Sequence, residues 1–146
     1  MVGAIPQRKR VEGDQKMKTV KKKWGYELIL VNNELYCLKL LYTCDGIYSS
    51  DGKFHMHPIK DETFVIEKGQ LQLEIADLSK GYHPNCVATM TLKKDDTFRI
   101  KPRTPHRFKS YGHECLFTEV STTDRDEDSI RGTLEELHKY LINNPG

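Results

Sequence analysis

The sequence predicts an all-β sandwich or barrel followed by one short helix, on three observations. From residue 24 onward, short runs of aliphatic, aromatic and β-branched residues alternate with turn residues. Several of those runs alternate apolar and polar side chains with period two, the mark of a strand with one buried face. A helical period shows only in the tail, after residue 132.

The elements follow in order. E-L-I-L-V (27–31) leads through N-N-E to L-Y-C-L-K-L-L-Y (35–42), two strands around a turn. Cys44-Asp45-Gly46 and Ser49-Ser50-Asp51-Gly52 mark loops. T-F-V-I-E (63–67) and Q-L-Q-L-E-I (70–75), separated by Lys68-Gly69, predict a hairpin. In that pair Phe64, Ile66, Leu71, Leu73 and Ile75 share an inner face, and Glu62 falls on the same face by alternation. Residues 76–86 read as a loop, 88–92 and 97–100 as strands, and Pro102 to Pro105 as a stiff bend. R-F-K-S and C-L-F-T-E-V-S-T (115–122) supply the last strands around Tyr111-Gly112-His113. Thr133-Leu134-Glu135-Glu136 forms a capping box, and Leu134, Leu137 and Leu141 line one side of a helix ending before Asn143.

At 146 residues the chain is expected to form one domain, with an extension at 1–23, a core domain at 24–131 and a helix and tail at 132–146. No run is long and apolar enough to span a bilayer and no secretory pattern opens the chain, so a soluble cytoplasmic protein is expected. Cys37, Cys44, Cys86 and Cys115 lack any C-x-x-C pairing and read as buried thiols. The net charge of +2 conceals an asymmetry: eight Lys/Arg against Glu12 and Asp14 give residues 1–23 a charge of +6, leaving −4 elsewhere. No aromatic residue interleaves that basic run, which reads as a solvated extension rather than a nucleic-acid arm.

The chemistry concentrates in F-H-M-H-P-I-K-D-E-T-F (54–64). His55 and His57, two apart, project from one face of a strand toward one point. Glu62 follows on an apolar inner face, where an ionised carboxylate is costly unless paired or metal-bound. T-P-H-R-F (104–108) offers a further imidazole in His106, after a proline bend. Three imidazoles and a carboxylate suit a divalent first-row metal ion: Mn, Fe, Zn, Co or Ni. His83, His113 and His138 fall in a loop, a turn and the terminal helix, as surface residues do.

These residues resemble the cupins. H-x-H followed after four residues by Glu and after six more by Gly69 is similar to the first cupin signature, and T-P-H-R-F resembles the second. The chain departs from the pattern at Ser49 and Arg103, where the signatures carry glycine, and at Ser110, where the second carries asparagine. These departures touch turns rather than ligands. The resemblance implies a double-stranded β-helix, or jelly roll, with a metal held by His55, His57, Glu62 and His106, and a homodimer.

Finer likeness, over about residues 22–131, points to the sugar and sugar-phosphate isomerase branch. It rests on K-K-W-G-Y-E-L-I-L-V-N (22–32), Y-C-x-K (36–39), S-S-x-G-K-F-H-M-H-x-x-K-x-E-T-F (49–64), T-E-V-S-T (118–122) and D-E-D-S-I-R (126–131). That branch includes the D-lyxose isomerases and the cupin domain of type II phosphomannose isomerases. It implies aldose–ketose isomerisation through an enediolate, with Lys60 beside the developing oxyanion and Glu119 as base. Strand alternation leaves Glu119 open, since Leu116, Thr118 and Val120 could equally be the inward set. Arg107, Lys39 and Tyr48 are candidate substrate contacts, and Trp24 reads as a packing residue or a lid.

A non-catalytic, metal-dependent carbohydrate sensor is the competing class, needing the ligands but no base. A cupin oxygenase would want an apolar pocket, whereas Lys60, Arg107 and Glu119 are polar. A metal-free epimerase would have no use for the full ligand set.

Overall fold

The computed structural model describes residues 3–6, 9, 16–44 and 46–146. Much of the basic extension therefore lies outside the described residues, as does Asp45 of the loop read at 44–46. Among the described residues eleven strands and one α-helix follow in order, with two short 3-10 turns at 49–52 and 126–128. They are β1 (Lys18–Lys22), β2 (Gly25–Asn32), β3 (Cys37–Thr43), β4 (Phe54–Met56), β5 (Glu62–Lys68) and β6 (Gln70–Ala76). Then come β7 (Val87–Lys93), β8 (Thr97–Ile100), β9 (His106–Ser110), β10 (Cys115–Ser121), β11 (Ile130–Gly132) and α1 (Leu134–Asn143).

The strands form two antiparallel sheets, of order β1-β2-β3-β10-β5-β8 and β11-β4-β9-β6-β7. Between them lies a core of Trp24, Leu41, Phe64, Ile66, Leu71, Leu73, Leu92, Ile100, Phe108, Cys115 and Phe117. The period-two reading holds where the contrast is strong: Glu62, Phe64 and Ile66 are buried on β5, and Leu71 and Leu73 on β6. Ile75 is only half-buried. Among the described residues no helix is long and apolar enough to cross a membrane.

Two expectations are corrected. β5 and β6 are not a hairpin: β5 pairs with β10 and β8, β6 with β7 and β9, so Lys68-Gly69 is a corner between sheets. The corner demands glycine, because Gly69 has φ 81° and a Cβ there would lie 2.2 Å from the carbonyl oxygen of Glu114. Nor does the folded domain begin at residue 24. Lys18–Lys22 is an edge strand paired with Gly25 to Ile29 on β2, and Trp24 sits in the turn between them. Trp24 turns inward and packs edge-on against Phe108, ring centroids 5.2 Å apart, so it belongs to the core.

The helix begins as expected. Thr133 caps it, accepting from the Glu136 backbone N–H while the Glu136 side chain reaches back. It runs through Asn143, one residue further than read from the sequence. Leu137 is fully buried against Phe54 and Met56, with Leu134 and Leu141 beside it. Phe54 and Met56 point outward from β4 toward this helix, which leaves His55 facing the interior. Arg103, at a signature glycine position, takes the left-handed conformation (φ 66°), and its guanidinium donates to the Leu141 carbonyl on the helix.

Leu137→Ala is expected to cost about 2–5 kcal/mol of unfolding free energy in urea denaturation, as a buried truncation does. Leu35→Ala, at a site 70% exposed, is expected to cost less than ~0.5 kcal/mol. Equal costs would mean that the helix does not seal the back of β4.

Candidate metal centre

One end of the interior is polar because several strands change character along their inner faces. On β5 the buried series runs Glu62, Phe64, Ile66; on β10, Cys115, Phe117, Glu119, Ser121; on β3, Cys37, Lys39, Leu41, Thr43. Antiparallel pairing aligns the polar members: Glu119 lies opposite Lys39, and Ser121 opposite Glu62. The five-stranded sheet adds His55 and His106, which face each other across β4 and β9. The six-stranded sheet brings charge, and the other brings imidazoles.

The ligand nitrogens of His55, His57 and His106 lie within 4.8 Å of one another. Each ring is oriented by its Nδ1. That of His57 donates to the Asp128 carbonyl at 2.8 Å, and that of His106 to the Thr104 carbonyl at 2.8 Å. Nδ1 of His55 meets the Ser50 hydroxyl at 3.2 Å. A carbonyl oxygen only accepts, so His57 and His106 carry their proton on Nδ1 and keep the Nε2 lone pair free for an ion. Burial holds His55 well below the ordinary histidine pKa and brings His57 down to about 4, so both rings are neutral near pH 7.

Glu62 reaches two of the rings, its Oε2 3.3 Å from His57 Nε2 and its Oε1 3.1 Å from His106 Nε2. Burial opposes ionisation of this carboxyl, but the Lys60 ammonium 3.2 Å away helps to hold it far below the usual range. Glu62 Oε2 and His106 Nε2 are fully buried without a hydrogen-bond partner among the described residues. Orphaned buried acceptors of this kind are costly, and a cation between them satisfies both. The donor set thus fits a divalent ion.

Beside the imidazoles lies a buried charge cluster. The Lys60 ammonium is 3.2 Å from Glu119 Oε2, 3.2 Å from Glu62 Oε2 and 3.1 Å from Asp124 Oδ1. Lys39 is 2.8 Å from Asp124 Oδ2 and 3.6 Å from Glu27 Oε2. Burial pushes both lysines down, yet the surrounding carboxylates raise them above the ordinary value overall, so both are charged. Four carboxylates against two ammonium groups leave two negative charges in excess. Burial, then the charge of Glu62, raises the Glu119 carboxyl above its usual pKa. Asp124 goes the other way, to about 2: burial opposes the drop, and the two lysines outweigh it.

These groups open on a cavity of about 550 Å³, walled by Trp24, Leu41, Phe64 and Phe108. His55, His57, Lys39, Lys60 and Glu119 all line it, which places Glu119 in the inward set of β10. Arg107 and Tyr48 do not line it. Arg107 follows the inward His106 and so points out of the sheet, where it binds Glu74 and the Gly52 carbonyl. Its guanidinium lies over the rings of Tyr48 (4.4 Å) and Phe54 (4.6 Å). That clasp anchors the 49–52 turn carrying Ser50, in which Ser50 and Asp51 both have positive φ.

Sequence reasoning missed Glu27, Asp124 and Asp128. Asp128 accepts from the backbone N–H groups of Ile59 and Lys60, both at 2.8 Å, and so fixes the turn between His57 and Glu62. The only signal was the acidic run ending at Asp128, which marked a resemblance and no role. Burial pushes the Cys37 thiol up to about 11 and Cys115 to about 12, as inert buried thiols.

No protein-family model matches the chain, and no curated protein is detectably similar. Solved structures do match. CapF, a capsular polysaccharide assembling protein from Staphylococcus aureus, gives a TM-score of 0.67 at 12% identity over 83% of this chain and 35% of its own. KdgF from Halomonas sp. gives 0.59 at 14%, covering 80% of this chain and 94% of its own. Oxalate decarboxylase from Bacillus subtilis gives 0.67 at 16%, covering 89% and 37%. The chain thus spans little more than a third of CapF and of the decarboxylase. All three are cupin-type proteins.

The fold is the cupin jelly roll. Within the barrel, the three-histidine cluster occupies the polar end and is a donor set that could hold a metal ion.

Purification without chelator is expected to yield about one first-row metal ion per chain by elemental analysis, lost in the His55→Ala/His106→Ala double variant. Binding to the native state alone also implies that adding the ion at about 100 times its Kd stabilises the fold by about 2.7 kcal/mol. Wild-type protein that takes up no Mn, Fe, Zn, Co or Ni would overturn the metal reading.

Proposed function

We propose that this protein is a metal-dependent aldose–ketose isomerase acting on a sugar or sugar phosphate through an enediolate. The observation that carries the reading is Glu119, a carboxylate on the cavity wall 3.2 Å from the Lys60 ammonium and beside the imidazole cluster. A divalent ion held by His55, His57, His106 and Glu62 would supply Lewis acidity toward the carbonyl and hydroxyl oxygens of the sugar.

The remaining steps fall to the chain's own groups. Glu119 takes the proton from the carbon next to the carbonyl and returns it to the former carbonyl carbon, while the hydroxyl proton passes between the two adjacent sugar oxygens. A carboxyl whose pKa burial and Glu62 raise above the usual carboxylate value is suited to both transfers. Lys60 donates to Glu119 and Asp124 and stands against Glu62, so in this reading its first role is to hold Glu119 in place. It reaches a developing oxyanion only by releasing one of those partners. Lys39, equally engaged, positions Asp124 rather than greeting substrate directly. Phe64, Phe108 and Trp24 wall the site and limit water around the reacting carbons. A carbohydrate context is also what the name of CapF states of that protein.

The same salt bridge favours a second reading. A Glu119 already neutralised by Lys60 is also what a carbohydrate-binding cupin without turnover would keep.

A screen of pentoses, hexoses and their phosphates with each candidate metal separates the two. Glu119→Gln is expected to lower kcat by about 10²–10⁴-fold while metal content and sugar affinity persist. Turnover undiminished in Glu119→Gln would remove Glu119 as the base. Sugar binding with no turnover under any metal would leave the binding module.

A further inference from the structure

The cavity is chemically reversed between floor and mouth. On the floor Lys60 is held by three carboxylates, Glu62, Glu119 and Asp124, and Lys39 by two, Asp124 and Glu27, so the charge of both lysines is already met by the chain itself. Toward the mouth the cavity is lined by Lys21, Lys22, Lys23, Arg125 and Arg131, with Asp51 and Asp126 as the exposed acidic residues among them. Lys23 is taken by Asp51 at 3.1 Å. Among the described residues, no ion pair or hydrogen bond engages the guanidinium of Arg125 or Arg131.

Arg131 is placed by register. It lies directly opposite His55 across β11 and β4, and opposed residues of an antiparallel pair project from the same face. Its neighbours Ile130 and Gly132 lie opposite Met56 and Phe54, which point the other way toward the helix. Arg131 therefore stands on the cavity side, next to the imidazoles, with its planar five-donor fork unspent.

We propose that the mouth is an anion subsite, in which Arg131 and Arg125 bind a phosphate or carboxylate group carried by the substrate. This rests on the cavity being the sugar site of the preceding section, and narrows its substrate to an acidic sugar: a sugar phosphate or a sugar acid. A neutral sugar offers nothing to those two guanidinium groups. An anionic one is also steered in by the basic rim, and its charge is met without disturbing the ion pairs of the lysines beneath.

The test is binding rather than turnover. Calorimetric titration of the metal-supplied full chain compares a neutral hexose, its 6-phosphate and the corresponding hexuronate, with inorganic phosphate as the anion alone. One acidic sugar is expected to bind about tenfold or more tighter than the neutral hexose, by a margin that shrinks as salt rises. Which of the two wins names the anion. In Arg125→Ala/Arg131→Ala the margin disappears while metal content and neutral-hexose affinity stay as in wild type. Equal affinity for all three sugars in the wild-type chain overturns the subsite, and so does a double variant that keeps the preference. An acidic sugar that binds by way of Arg131 yet is never isomerised supports the subsite and removes the isomerase instead.

Discussion

Lys60 stands at the centre of the buried charge cluster, with Glu62, Glu119 and Asp124 all within 3.2 Å of its ammonium. Removing one partner from such a cluster typically costs about 3–5 kcal/mol, because the charge left behind has no water to turn to. Much of the polar end follows from this constraint. Asp124 bridges Lys60 and Lys39, and Lys39 in turn accommodates Glu27, so the network extends outward until it meets the cavity mouth. With all four carboxylates ionised it closes two positive charges short. A divalent ion held among the three imidazoles would supply that deficit and make the imidazole cluster and the ion network two halves of one electrostatic arrangement.

Strand β4 carries the geometric burden. It is three residues long, yet His55 serves the cavity while Phe54 and Met56 anchor the helix on the opposite side. Packing on the outer face therefore fixes the register of a ligand on the inner one. Arg107 contributes to the same end from outside: clasped between Tyr48 and Phe54 and bound to the Gly52 carbonyl, it holds the turn that presents Ser50 to His55. The residue expected to touch substrate instead supports the scaffold around a ligand.

How much the sequence disclosed depended on contrast between faces. Glu62 was legible because an acid at the head of an alternating Phe–Ile series has no innocent place on an apolar face. His55, His57 and His106 were legible by spacing and by the proline bend. Glu119 was not, because the outer face of β10 carries Leu116 and Val120, and apolar residues on both faces erase the period-two signal. Arg107 was misjudged for neglect of the same rule: one residue after an inward histidine, it must point away. β1 was hidden by composition, since a lysine-rich edge strand exposed to water has no apolar stripe to betray it. The corner at Gly69 looked like a hairpin because both connections need a positive φ, and only pairing across the barrel tells them apart.

Asp128 shows why loop residues close the account. Its carboxylate accepts from the Ile59 and Lys60 backbone, and its carbonyl accepts from His57 Nδ1. One residue thereby sets the tautomer of a ligand and the placement of the lysine that holds Glu119. The three contacts cross about seventy residues of chain and leave no periodic trace in the sequence, yet they couple the imidazole half of the site to the carboxylate half. A shift in the 126–128 turn would displace both together. Ligand geometry and the placement of Glu119 are in that sense a single structural variable, set by a loop whose neighbours Arg125 and Arg131 stand at the cavity mouth.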